Sequence, residues 1–289
     1  MKKIFKTMIA SLLFFSLLFS LCGCNFVFPG QIKYKYEVKE EGTILTGYVV
    51  DKNYEIPENL EIPNVLGGKN VIEIGDSAFF DSNFKKITLP KTIKKIGTLA
   101  FASSDLLCEI NTPEDLTVIN NYAFENCISL KSFDLPEKLD YLGDLSFENA
   151  GLEKITLVQP QRFGFNIFSN SKIEEIKFGE NVSTIFVREF AGSKVTNIIF
   201  PEKIKSISDS AFAGCEDLSD IAFEEGLEGL YSKSFSNCKK LKNVTFPKSV
   251  KFIANDAFDG CQKDMVIYAE SGSYAASWAK TSGFKLREY

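Results

Sequence analysis

A small residue followed by phenylalanine recurs along this chain: Ala78-Phe79, Ala100-Phe101, Ala123-Phe124, Ser146-Phe147, Ala211-Phe212, Ser234-Phe235 and Ala257-Phe258. Phe168 and Phe190 complete the series, preceded by Ile167 and Glu189, and the nine rings are spaced by 22, 23, 23, 21, 22, 22, 23 and 23 residues. Ahead of the rings stand apolar pairs three apart, such as Ile93/Ile96, Leu116/Ile119, Leu139/Leu142, Ile204/Ile207 and Val250/Ile253. Behind them come alternating runs, as in Phe84 to Leu89, Leu130 to Leu135, Leu218 to Phe223 and Leu241 to Phe246. Alternation at period two predicts a short strand with one buried face. Proline often ends it, at Pro90, Pro113, Pro136, Pro201 and Pro247, because it has no N–H to extend the pairing. The apolar pair predicts a second short segment, and the small-Phe pair a tight turn that drives its ring inward. One such unit cannot bury its apolar groups alone, whereas stacked units share a continuous core. The expected fold is a mainly β repeat solenoid of about nine coils.

The third residue after each ring is always small: Ser82, Ser104, Cys127, Ala150, Ser171, Ser193, Cys215, Cys238 and Cys261. This reads as a tight buried slot, in which cysteine serves as a small hydrophobe. Cys108 lies outside this frame, at an outward strand position, and is either a reactive free thiol or a cysteine simply tolerated there.

The N-terminus carries a different pattern. Lys2, Lys3 and Lys6 precede an apolar run from Met8 to Leu21, which is shorter than the roughly 20 residues a spanning helix needs. The pattern fits an export signal. Leu21-Cys22-Gly23-Cys24 then resembles the bacterial lipobox, which implies cleavage after Gly23 and a covalent diacylglycerol on Cys24. The alternative is a plain secretory signal with incidental cysteines. Two acyl chains anchor a protein stably without spanning the membrane. Loss of the three signal lysines leaves 30 basic against 38 acidic residues, a net charge of −8. That argues against nucleic acid as a partner, since phosphate binding calls for a basic face.

Of the 289 residues, 45% are hydrophobic and 25% charged, and none is histidine. The absence of histidine excludes Ser-His-Asp triads, Cys-His dyads and imidazole metal ligands. No G-x-S-x-G, phosphate-cradling or EF-hand motif occurs, and neighbouring acids such as Glu174-Glu175 point to opposite faces of a strand. No catalytic residue and no metal site is assigned, and no cofactor is expected beyond the lipid on Cys24.

The run Ile74 to Phe79 and the run Ser210 to Phe223 closely match I-G-x-x-A-F-x-x-C-x-x-L-x-x-I-x-L-P. In this the chain resembles the BspA-like bacterial leucine-rich repeats over roughly Val71 to Tyr268. The resemblance implies a right-handed leucine-rich-repeat superhelix of 21–23-residue coils with short helical turns. It also implies an N-terminal β-hairpin and a C-terminal helical cap, with Ser273 to Thr281 as the helix. The domain layout expected is a signal at 1–23, a tether at 24–30, a capping hairpin region at 31–70, repeats at 71–264 and a cap at 265–289. The resemblance implies surface display, adhesion or protein interaction; with the lipobox, the expectation is an exported lipoprotein, outward-facing on the cell membrane, that acts as a non-enzymatic adhesion or interaction module for a protein or glycan. A structural or accessory scaffold subunit of the envelope is the alternative.

Two candidate surfaces follow. The regular pattern fails between Val158 and Phe168, where Arg162, Phe163 and Phe165 stand, and again at Phe186-Val187-Arg188-Glu189, where Gly-x-x-Ala is usual. The outward strand positions form a polar ribbon that includes Lys154, Lys177, Asn197 and Asp220. The candidate contact residues are therefore Arg162, Phe163, Phe165 and Arg188 with Lys154, Lys177, Asn197 and Asp220.

Overall fold

The computed structural model describes residues 32–289, so the export signal expected at 1–23 and the lipidation expected at Cys24 lie outside the described residues. Two units are distinguished: residues 35–47 with 56–289, and a small one whose described part is 32–34 and 48–55. In the small unit Asp51 closes a turn, its carbonyl accepting from Tyr54 N at 3.0 Å and its carboxylate from Asn53 N at 3.1 Å.

The large unit is a β-solenoid. Each regular coil contributes a long strand and a two-residue strand, and each stacks in parallel, in register, on its counterpart in the next coil. Asn197–Phe200, Asp220–Phe223, Asn243–Phe246 and Val266–Ala269 form one such series, and Thr184–Ile185, Ser206–Ile207, Gly229–Leu230 and Phe252–Ile253 another. Proline makes the corner between them: the carbonyls of Pro90, Pro113, Pro136 and Pro201 accept from the N–H three residues on.

The nine repeat phenylalanines form one continuous column. Each ring lies against the next with centroids 4.9 to 5.7 Å apart and planes within 23° of parallel. Parallel in-register stacking leaves the rings no other course, because equivalent residues of adjacent coils are about 4.8 Å apart. Each such contact adds about 0.5–1.5 kcal/mol to the area it buries.

The turns that carry these rings are not helical; the only helix among the described residues is Tyr274–Thr281. Left-handed residues flank eight of the nine rings two positions away on both sides, for example Leu99 (φ 57°) and Ser103 (φ 58°), or Tyr122 (φ 60°) and Asn126 (φ 58°). A right-handed helix cannot pass through them. The cost, about 1–2 kcal/mol at a residue such as Leu99, is offset by an inter-coil ladder. Leu99 N, Phe101 N and Ser103 N donate to the carbonyls of Asn121, Ala123 and Glu125 at 3.1, 2.8 and 2.8 Å.

The slot residues are buried except Cys261, which is half-buried. Most also hydrogen-bond to the preceding coil: Ser104 Oγ donates to Phe79 O at 2.9 Å, and the thiols of Cys127, Cys215, Cys238 and Cys261 donate to the matching phenylalanine carbonyls at 3.1 to 3.3 Å. Burial pushes the Cys127 thiol up to about 12 and Cys215 to about 11, so both stay protonated donors. Cys108 is exposed, and its thiol donates to Lys85 O at 3.3 Å.

The aromatic column ends on the helix. Ser273 caps it, its hydroxyl accepting from Ala276 N at 3.2 Å. Trp278 meets Phe258 and Phe246 at 5.9 and 6.4 Å, and Phe284 stacks on Trp278 at 5.2 Å. At the other end Thr43–Leu45 pairs with Val71–Ile74, and Thr43 Oγ1 donates to Leu66 O at 2.7 Å.

Candidate binding surface

The regular short-strand face obeys two rules. Four residues before the ring the N–H donates to the preceding coil, and where glycine stands there the approach is close: a Cβ at Gly143 would sit 2.5 Å from Asn121 N, and one at Gly164 2.3 Å from Asp144 N. One residue later a polar side chain caps the next coil. Asp76, Asn121, Asp144 and Asp209 accept from the N–H of Thr98, Asp144, Phe165 and Ser232 at 2.7 to 3.1 Å.

The irregular coils break both rules. Phe186 stands where Gly143 and Gly164 stand, and Arg162–Phe163 and Thr184–Ile185 are the one adjacent pair of short strands left unpaired. A Cβ alone does not open the stack, because Asn120, Ser208, Tyr231 and Ala254 hold this position and their N–H groups still donate to the preceding coil at 2.9 to 3.0 Å. The ring turns outward and stacks on Phe163, centroids 4.3 Å apart and planes 19° from parallel. The capping position is apolar in both coils, Phe165 in one and Val187 in the next, and the backbones meet where Asn166 N donates to Val187 O at 3.3 Å. Phe165 remains 57% exposed. The result is a small apolar patch; the same face carries a second exposed aromatic pair further along, Tyr231 and Phe252, with centroids 5.6 Å apart.

Glu189 repairs the break from within. In regular coils the N–H four residues before the ring donates to the preceding coil, as Gly143 N does to Ile119 O and Gly164 N to Leu142 O at 2.9 and 2.8 Å. Phe186 N instead donates to Glu189 Oε2 at 2.7 Å. Glu189 occupies the small-residue position beside Phe190, is 1% exposed, and its Oε1 has no partner among the described residues. Burial without a countercharge pushes its carboxyl up to about 8. Sequence reasoning marked Glu189 only as an oddity; the signal was its coincidence with Phe186 at the glycine position three residues earlier.

Arginine frames the patch. The chain has three arginines, and two of them, Arg162 and Arg188, are here. Arg162 donates to Asp140 Oδ2 at 2.5 Å and lies over the Tyr141 ring, 5.3 Å from its centroid. Arg188 is exposed, takes a left-handed φ of 55°, and has no ion-pair partner among the described residues.

The other four candidate residues lie on the long-strand face and are occupied by cross-coil pairs. Lys154 pairs with Glu175 at 2.7 Å, and Lys177 reaches the same carboxylate at 4.0 Å. Asn197 accepts from Ser219 Oγ at 2.9 Å, and Asp220 from Asn243 Nδ2 at 2.7 Å. The candidate set is thus two surfaces: Arg162, Phe163, Phe165 and Arg188 on one, and a ribbon of solvent-screened pairs on the other.

The family profile described as BspA type leucine-rich repeat region matches this chain in six copies over residues 53–173 and 158–265. The chain belongs to the BspA-type leucine-rich repeat family. Among solved structures it is similar to a leucine-rich repeat protein from Bacteroides ovatus, at 19% identity and TM-score 0.49, covering 92% of this chain and 100% of that one. The leucine-rich repeat protein of T. pallidum is 24% identical with TM-score 0.49, covering 72% and 87%. The pneumococcal vaccine antigen PcpA is 15% identical with TM-score 0.43, covering 92% and 98%. No curated protein sequence matches. Within this BspA-type chain the patch stands at the two coils that depart from the family's repeat.

Proposed function

We propose that this BspA-type protein is a non-enzymatic binding module on the outer surface of the cell membrane, held by lipid on Cys24, whose contact face for a protein or glycan is the patch around Phe165. The observation that carries this reading is the patch itself: an exposed ring, a stacked aromatic pair and two of three arginines, at the coils where the repeat is broken. Aromatic residues and arginine are the side chains enriched where binding energy concentrates, and lysine is depleted there. Solenoids offer such extended faces generally.

The test is a solid-phase panel of matrix proteins, mucins, glycans and envelope extracts. A saturable ligand is expected whose affinity falls at least tenfold in the triple variant Arg162→Ala, Phe165→Ala, Arg188→Ala, with an unchanged melting curve. Equal binding by the triple variant sinks the assignment of this face. Partners drawn only from the same envelope favour the scaffold role. Anchoring is tested by feeding cells an alkyne-tagged palmitate. The wild type should take up label and fractionate with membranes, and Cys24→Ala should do neither; label retained in Cys24→Ala overturns the anchor.

A further inference from the structure

The long-strand stack is interrupted twice: between Glu175–Phe178 and Asn197–Phe200, which do not pair, and at residues 132–135, where the coil has no strand at all. Residues 132–135 lie between the strands Glu109–Ile110 and Lys154–Leu157, yet neither strand pairs with them. None of their backbone N–H or C=O groups has a hydrogen-bond partner among the described residues. Four consecutive backbone units at a sheet position thus make no inter-coil hydrogen bond among the described residues, although strands normally pair them.

Phe133 sets this coil apart. Its inward position is held by isoleucine in the flanking coils, at Ile110 and Ile155. The larger ring wedges between two members of the aromatic column, 5.0 Å from Phe124 and 5.1 Å from Phe147. A side chain too large for a packed site displaces backbone.

The opening continues into a groove of about 580 Å³ between residues 110–114 and 132–138, and a second of about 350 Å³ that shares Asp134 and Glu137 and reaches Glu180. Volumes of this order suit a small ligand or short peptide. Glu114, Asp134, Glu137 and Glu180 line the two grooves, against a single lysine, Lys138. None of the four carboxylates has an ion-pair partner among the described residues, whereas acids elsewhere on this face, such as Glu153 and Glu175, are paired.

We propose that this groove binds an extended, lysine-rich peptide segment. Its backbone completes the hydrogen bonding of residues 132–135, as in strand addition to an open edge, and its cations meet the four carboxylates. The site is on a different face from the patch around Phe165 and does not depend on it.

The probe is an acetylated hexapeptide of alternating lysine and valine with a fluorescent tag, titrated against the full chain by anisotropy, with spermidine as a charge-only competitor. Binding should saturate and weaken with salt. It should fall at least tenfold in the double variant Asp134→Asn, Glu137→Gln, and at least tenfold in Phe133→Ile, which carries the residue of the neighbouring coils and lets the strand close. The first variant alters only exposed side chains, so it remains informative if the second unfolds. No saturable binding overturns the proposal. So does binding that Phe133→Ile leaves intact in a folded protein, or that spermidine displaces at equal charge concentration, since either means a diffuse acidic surface.

Discussion

Replacing Phe212 by alanine should cost about 3–5 kcal/mol of stability, the usual loss for deleting a fully buried ring. Phe212 is fully buried, stacked between Phe190 at 5.3 Å and Phe235 at 5.2 Å, with Phe200 edge-on at 5.7 Å. It therefore loses partners in both adjoining coils. Solenoid stability is a sum of coil and nearest-neighbour terms, so a gap there uncouples the coils on either side. A fall of roughly 10 °C in the melting midpoint is expected by scanning calorimetry. Phe165→Ala, at an exposed ring, should stay within about 0.5 kcal/mol of wild type. Equal midpoints for Phe212→Ala and wild type would break the repeat frame.

The second large effect is a pH dependence set by Glu189. The carboxyl of the unfolded chain gives up its proton near the ordinary 4.5, and the folded one holds it up to about 8. Below 4.5 both states are protonated and the full stability is present. Between 4.5 and 8 only the folded state binds the proton, so stability falls as pH rises, and above 8 the loss is complete. At about 1.36 kcal/mol for each pH unit, the span corresponds to on the order of 4–5 kcal/mol. Glu189→Gln keeps an acceptor for Phe186 N without an ionisable proton. Denaturant midpoints of this variant should therefore show a flatter slope from pH 5 to 9 and exceed wild type at pH 9. Parallel slopes for the two proteins would show that Glu189 ionises freely. Glu189→Ala, the residue most coils carry here, should not recover the same stability, because it leaves Phe186 N buried without an acceptor.

The column of rings, the small slot and the paired strands were all legible in the sequence, because each is dictated by one spacing repeated nine times. The turns were misread as helical: apolar spacing locates a ring but does not report the sign of φ at Leu99 or Tyr122. The exceptions were harder. Phe133 satisfies the apolar pattern as well as isoleucine does, so hydrophobicity conceals a wedge that only its volume reveals. Phe186 and Glu189 each looked like drift; together they are one substitution, a lost inter-coil hydrogen bond and the carboxylate that replaces it. Lys154 and Asp220 pointed outward as expected, but their cross-coil partners depend on a register that spacing alone does not supply.

The central claim is that the Phe165 patch is the contact face. The measurement that tests it most directly is photo-crosslinking on living cells, with a photoreactive phenylalanine at position 165 and, in a separate strain, at position 242 on the long-strand ribbon. The expected result is a discrete, saturable adduct from position 165 and none from position 242. Adducts only from position 242, or the same unsaturable background from both, would contradict it.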